Sequence, residues 1–133
     1  MSQLICELQK EHTVIYDLLS AAKRNGIATK EGKESLQNVK DTLIAHLKKE
    51  DTKLYPVLRK AAETDAVLRQ TLDLFAKDID DLSKYVLQFF DKYSSGGDSA
   101  EFAREFGWLY SILQMRIRKE ESSLYKAYEK LNP

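Results

Sequence analysis

The sequence predicts an all-α protein, an antiparallel up-down-up-down four-helix bundle. Three observations lead there. Apolar residues recur at steps of three and four in four separate blocks. Only five glycines and two prolines occur in 133 residues, too few turn formers for a chain of many short strands. The links between blocks are short, which sets neighbouring helices antiparallel. The length suits a single domain, residues 1–133, around one buried core.

The first block reads Ile5, Leu8, His12, Ile15, Leu19, Ala22, and Asn25-Gly26 ends it, since a glycine just past the last turn is a common helix stop. The second starts near Thr29, with Glu31 and Glu34 in its first turns, where the helix dipole favours acids. Its stripe is Leu36, Val39, Leu43, His46, Glu50, Leu54, Val57. Pro56 should kink or break it, leaving Leu58 to Asp65 as a short turn and a connection. The third block reads Leu68, Leu72, Phe75, Ile79, Leu82, Val86, Phe89, and Ser94-Ser95-Gly96-Gly97-Asp98 is the clearest loop. The fourth, capped by Asp98 or Ser99, reads Phe102, Phe106, Leu109, Leu113, Arg116, Glu120, Leu124, Ala127, Leu131. Phe75, Phe89, Phe90, Phe102, Phe106 and Trp108 read as core or half-buried packing.

Composition narrows the function classes. Lys plus Arg and Asp plus Glu both total 21, so the balanced chain has no electrostatic pull toward nucleic acid or an anionic membrane. The lone Cys6 cannot form an internal disulfide, which suits a reducing compartment. No apolar run approaches the ~20 residues of a membrane span. Met1 to Lys10 lacks the pattern of a secretory leader, so the expected location is cytoplasmic. No catalytic nucleophile, phosphate-cradling glycine loop or cysteine cluster is present, and the expectation is a protein that is not an enzyme. A protein partner or a second copy is open, with Tyr93, Tyr128 and Trp108 as candidate surface.

Five polar residues lie on the core stripes: His12, His46, Glu50, Arg116 and Glu120. An ion buried alone costs several kcal/mol, of order, so such groups persist where they meet one another, a metal or trapped water. His46 and Glu50 are four apart, as are Arg116 and Glu120, so each pair shares a helix face. In a bundle of equal antiparallel helices these mid-stripe residues converge on one layer. Imidazole and carboxylate from facing helices are the donors that bundles use for iron, manganese or zinc.

The arrangement of His12, then His46-Leu47-Lys48-Lys49-Glu50-Asp51, then Leu54-Tyr55-Pro56, resembles the hemerythrin-like (HHE cation-binding) family. That family's pattern is a histidine followed by His-x-x-x-Glu and an apolar-aromatic-Pro step, given twice. The second copy is present in shape, Glu120-Glu121-Ser122-Ser123-Leu124-Tyr125 paralleling Glu50-Asp51-Thr52-Lys53-Leu54-Tyr55. Lys77-Asp78-Ile79 likewise parallels Lys10-Glu11-His12. In this register Arg116 and Ile79 stand where the second half would carry its histidines, so the chain resembles a degenerate member.

The resemblance implies two irons bridged by two glutamates, of which His12, His46, Glu50 and Glu120 would survive as a half site for one ion. Iron is implied by the family, zinc is allowed by the donors, and an empty site is the alternative. A guanidinium does not ligate metal at neutral pH. Arg116 is expected to occupy the second berth and to pair with both Glu50 and Glu120. Two divalent ions beside Arg116 would leave excess positive charge in a nearly dry layer unless Asp78 and Asp81 entered it. Tyr16, four residues from His12, is a candidate supporting donor or fifth ligand, with Tyr110 and Tyr125 flanking the layer. Three functions follow as expectations. One is a binding or sensing module with one metal. Another is a metal-free structural or protein-interaction module braced by Arg116. The third, suggested by Ala45-His46-Leu47-Lys48, is a histidine phosphotransfer domain, which needs His46 in solvent although its register is apolar.

Overall fold

A computed structural model describes residues 2–131, and within them the chain is helical with no strand. Four long helices, α1 (Gln3–Asn25), α2 (Lys30–Lys49), α4 (Ala66–Tyr93) and α5 (Ser99–Lys119), are joined by two short ones, α3 (Tyr55–Ala62) and α6 (Tyr125–Leu131). Each long helix begins on a side-chain cap that takes an otherwise orphaned N–H: Ser2 from Ile5, Thr29 from Gly32, Asp65 from Leu68 and Asp98 from Glu101. Gly26 ends α1 with a positive φ of 66°. Gly32 lets α2 start hard against that turn, because a Cβ there would lie 2.0 Å from the Gly26 carbonyl oxygen.

Contacts run in opposite directions along neighbouring helices. Asn25 meets Ser35, whereas Glu7 meets Lys49, so α1 and α2 are antiparallel. Lys92 meets Glu101, whereas Arg116 reaches Phe75, so α4 and α5 are too. The interior holds two apolar clusters. One gathers Ile15, Leu19, Leu43, Val86, Phe89, Phe106 and Leu109; the other gathers Ile5, Leu8, Leu54, Leu58, Leu72, Phe75 and Leu124. His12 lies between Leu8 and Ile15 on α1, so the buried polar residues form a layer between the two clusters.

Two features depart from simple helical periodicity. Glu50–Leu54 and Glu120–Leu124 each wind into a single π turn, closed by the Tyr55 N–H on the Glu50 carbonyl and the Tyr125 N–H on the Glu120 carbonyl. Each turn takes up an extra residue, so Leu54 and Tyr55 both face inward, as do Leu124 and Tyr125. The shift moves the stripe by one: Leu58 is buried and Val57 is 36% exposed, against the expectation from spacing. It also leaves Ala127 half-buried and Leu131 exposed. Pro56 does not end the helical run, since Leu58–Ala62 continue as α3, nor does it cause the π turn, because the second turn has none. Hydroxyls brace both turns: Thr52 donates to the Lys48 and Lys49 carbonyls, and Ser122 and Ser123 donate to that of Lys119.

Two aromatic expectations are corrected. Tyr93 is no surface residue but is buried against Phe89 and Phe102, and Trp108 is 65% exposed rather than packed.

Candidate metal centre

α1 supplies His12, α2 supplies His46, and the two π turns open with Glu50 and Glu120. All four side chains are buried, and one donor atom from each lies within 4.8 Å of the others. His46 Nε2 is 3.5 Å from Glu50 Oε2, and His12 Nε2 is 3.6 Å from Glu120 Oε1. The two Nε2 atoms are 3.1 Å apart.

The outer nitrogens explain how the rings are set. His46 Nδ1 is 2.7 Å from Glu11 Oε1, and His12 Nδ1 is 3.4 Å from Glu121 Oε2. An ionised carboxylate only accepts, so each Nδ1 carries a proton and each ring turns its Nε2 inward. Two Nε2 atoms at this distance share either a proton or a metal ion. Two imidazole nitrogens held about 2.1 Å from one ion would lie about 3 Å apart when the angle between them is near 90°. Glu50 Oε1 is buried without a hydrogen-bond partner, a further sign of unused ligand capacity. The donor set therefore fits one first-row ion.

The protonation pattern matches a layer short of one cation. Burial drives the Glu120 carboxyl well above the usual range, and the adjacent Glu50 charge pushes the same way against Arg116. Burial acts on Glu50 too, but the bonds from His46 and Tyr125 outweigh it and hold its pKa low. For His46, burial disfavours the charged ring, yet Glu50 and Glu11 together raise its pKa. Burial and the neighbouring His46 charge lower that of His12. Without metal, the raised pKa of His46 favours a proton on that ring beside His12.

Arg116 sits in the other half of the layer, 7% exposed. Its Nη2 donates to Tyr55 Oη at 2.8 Å, its Nη1 donates to the Phe75 carbonyl at 3.2 Å, and its guanidinium lies 4.5 Å from the centre of the Phe75 ring. Its Nε faces Glu120 Oε2 at 3.5 Å. The expected pairing with both glutamates is corrected to one: Glu50 is bonded instead by Tyr125, whose hydroxyl donates to Oε2 at 2.7 Å and lies 3.1 Å from His12 Nε2. Ile79, the other replacement, is half-buried and packs against the cluster around Leu54 and Phe75.

Among the described residues Tyr16 makes no hydrogen bond to the layer. Its ring leans on Tyr110 at 6.0 Å, one helical turn away. Tyr125 takes the role proposed for it, because the second π turn swings its ring inward. The shared Leu-Tyr of the two half-repeats was the available signal for Tyr55 and Tyr125. Glu11 and Glu121 gave a weaker one, each being an acid next to a ligand position. His46 is 4% exposed and enclosed by Glu11, His12 and Glu50, which removes the solvent access a phosphotransfer histidine requires.

No helix of the described residues is long and apolar enough to cross a membrane. No curated protein and no solved structure matches the chain. The family model described as "Hemerythrin HHE cation binding domain" matches residues 3–128, nearly the whole sequence. With a buried His₂Glu₂ cluster at the middle of a four-helix bundle, the chain belongs to the hemerythrin HHE cation-binding domain family.

Proposed function

We propose that this chain holds a single metal ion, iron, between His12, His46, Glu50 and Glu120, and works as a binding or sensing module rather than an enzyme. The observation that carries this is the pair of inward Nε2 atoms 3.1 Å apart beside two buried carboxylates. The ion would supply the positive charge that the layer otherwise draws from protons. Imidazole and carboxylate together suit iron, and zinc is the competing occupant. The chain's own residues orient and enclose. Tyr125 bonds Glu50, Arg116 sets its charge beside Glu120, and the surrounding apolar clusters keep the layer dry. Arg116 fills the second berth, so two-electron chemistry shared between paired irons is not part of the proposal. A cytoplasmic setting, a protein partner or second copy, and no nucleic acid or membrane as partner complete the reading.

Elemental analysis of protein purified without chelator tests it. About one equivalent of iron is expected in the wild type and none in His46→Ala. One equivalent of zinc in place of iron would keep the site and change its occupant.

A second reading is favoured by the bonding of Arg116, which finds Tyr55, Phe75 and Glu120 without any ion. In it the layer is a buried polar network and the protein acts through its outer surface. Absence of metal after deliberate loading with iron and with zinc selects this reading.

A further inference from the structure

We propose that Glu11 is a positioning residue of the metal site, holding the His46 ring so that Nε2 faces the ion and offsetting part of the ion's charge. The proposal rests on the metal-binding reading above. Glu11 Oε1 takes the Nδ1 proton of His46 at 2.7 Å, the shortest contact either ring makes. Its Oε2 accepts from Lys49 Nζ at 2.8 Å, and Lys49 also meets Glu7 at 2.9 Å. The carboxylate is thus fixed from two sides, and it comes from α1 while the ring it holds comes from α2. A histidine whose outer nitrogen is bound to a carboxylate is locked in one tautomer and is a more basic ligand.

Charge points the same way. Glu50, Glu120 and Arg116 with one divalent ion sum to +1. Glu7, Glu11 and Lys49 sum to −1, so the group around Glu11 offsets that charge.

The internal repeat supplies an independent argument. Lys10-Glu11-His12 is paralleled by Lys77-Asp78-Ile79. Asp78 lines a cleft of about 330 Å³ together with Arg116, the residue in the position equivalent to His46. Asp78 and Arg116 thus border the same cleft, an acid and a second-ligand position on one side of the bundle, as Glu11 and His46 are on the other. Glu121 holds the corresponding place for His12, at a looser 3.4 Å.

The competing explanation is that Glu11 only straps α1 to α2 through Lys49. Co(II) titration followed by visible absorption separates the two on four proteins: wild type, Glu11→Ala, Glu11→Gln and Lys49→Met. Glu11→Ala should bind Co(II) roughly 10–100-fold more weakly, with shifted bands. Glu11→Gln, whose amide oxygen still accepts from Nδ1, should fall between it and the wild type. Lys49→Met breaks the strap and removes one of the two groups that fix Glu11 but leaves its bond to His46, so its loss of affinity should be clearly smaller than that of Glu11→Ala. Glu11 is partly exposed, and thermal melting of the metal-free variants confirms that each is folded. Wild-type affinity in Glu11→Ala, or equal losses in Glu11→Ala and Lys49→Met, would overturn the positioning role while the metal site stands. A folded wild type that takes up no Co(II) would overturn both.

Discussion

Arg116 donates to the Tyr55 hydroxyl at 2.8 Å, and on the opposite side of the layer Tyr125 lies 3.1 Å from His12. Tyr55 and Tyr125 are equivalent residues of the two half-repeats, each delivered by a π turn. The layer thus has two halves of like construction, one lined by imidazoles and the other filled by a guanidinium. Much of the protein's behaviour should follow from that asymmetry.

Removing the guanidinium should be expensive. Arg116→Ala leaves Glu120 beside Glu50 with no permanent cation, along with an unpartnered Tyr55 hydroxyl. Breaking one partner of a buried pair costs about 3–5 kcal/mol. Urea unfolding of metal-free protein should show that loss as a lower midpoint, and an unchanged midpoint would refute the bracing role.

Tyr125→Phe should test the bond to Glu50. Its hydroxyl donates to a buried carboxylate at 2.7 Å, and such charge-assisted bonds contribute about 1.5–3 kcal/mol. The variant keeps the ring and its packing, so thermal unfolding isolates the hydroxyl. Tyr16→Phe, by contrast, should leave both stability and metal uptake unchanged.

Metal uptake should release protons. His46 and Glu120 both have raised pKa values in the metal-free layer and must lose their protons to act as ligands. Affinity should therefore fall as pH is lowered through these pKa values. The stability sign follows from the same shifts. A group whose pKa is raised by folding stabilises the fold below its unfolded pKa and loses that contribution as pH rises through the folded value. Metal-free protein should thus lose the Glu120 and His46 contributions on the alkaline side, and an ion should restore stability there. Calorimetry in two buffers of different ionisation enthalpy counts the protons released, and a count of zero would contradict the assignment.

The second berth should be recoverable. Ile79→His with Arg116→His returns two imidazoles to the half that lacks them, beside the retained Asp78. The double variant should bind a second equivalent of Co(II). Binding no more than wild type, in a folded protein, would show that this half no longer has the geometry of a site.

The sequence carried the four-helix frame, because each stripe repeats every three or four residues over five or more steps. It also carried His12, His46, Glu50, Arg116 and Glu120, since a polar residue in an apolar register is conspicuous. The π turns were illegible: an extra residue in one turn leaves no mark on composition, and strict periodicity then misplaces Val57 and Leu131, leaves Tyr55 off the stripe and puts Tyr125 only beside the layer. Arg116 was rightly placed on the layer, yet its partners depended on which tyrosine the second π turn delivered. Glu11 and Glu121 escaped notice because they lie off the stripes, reaching the histidines from the rim.

The central claim is one ion held by His12, His46, Glu50 and Glu120 while Arg116 fills the other half of the layer. Native mass spectrometry of the chain after anaerobic loading with ferrous iron counts ions per molecule directly. The account predicts a single bound ion, absent from His46→Ala. Two ions on the wild type, or none on folded protein, would contradict it.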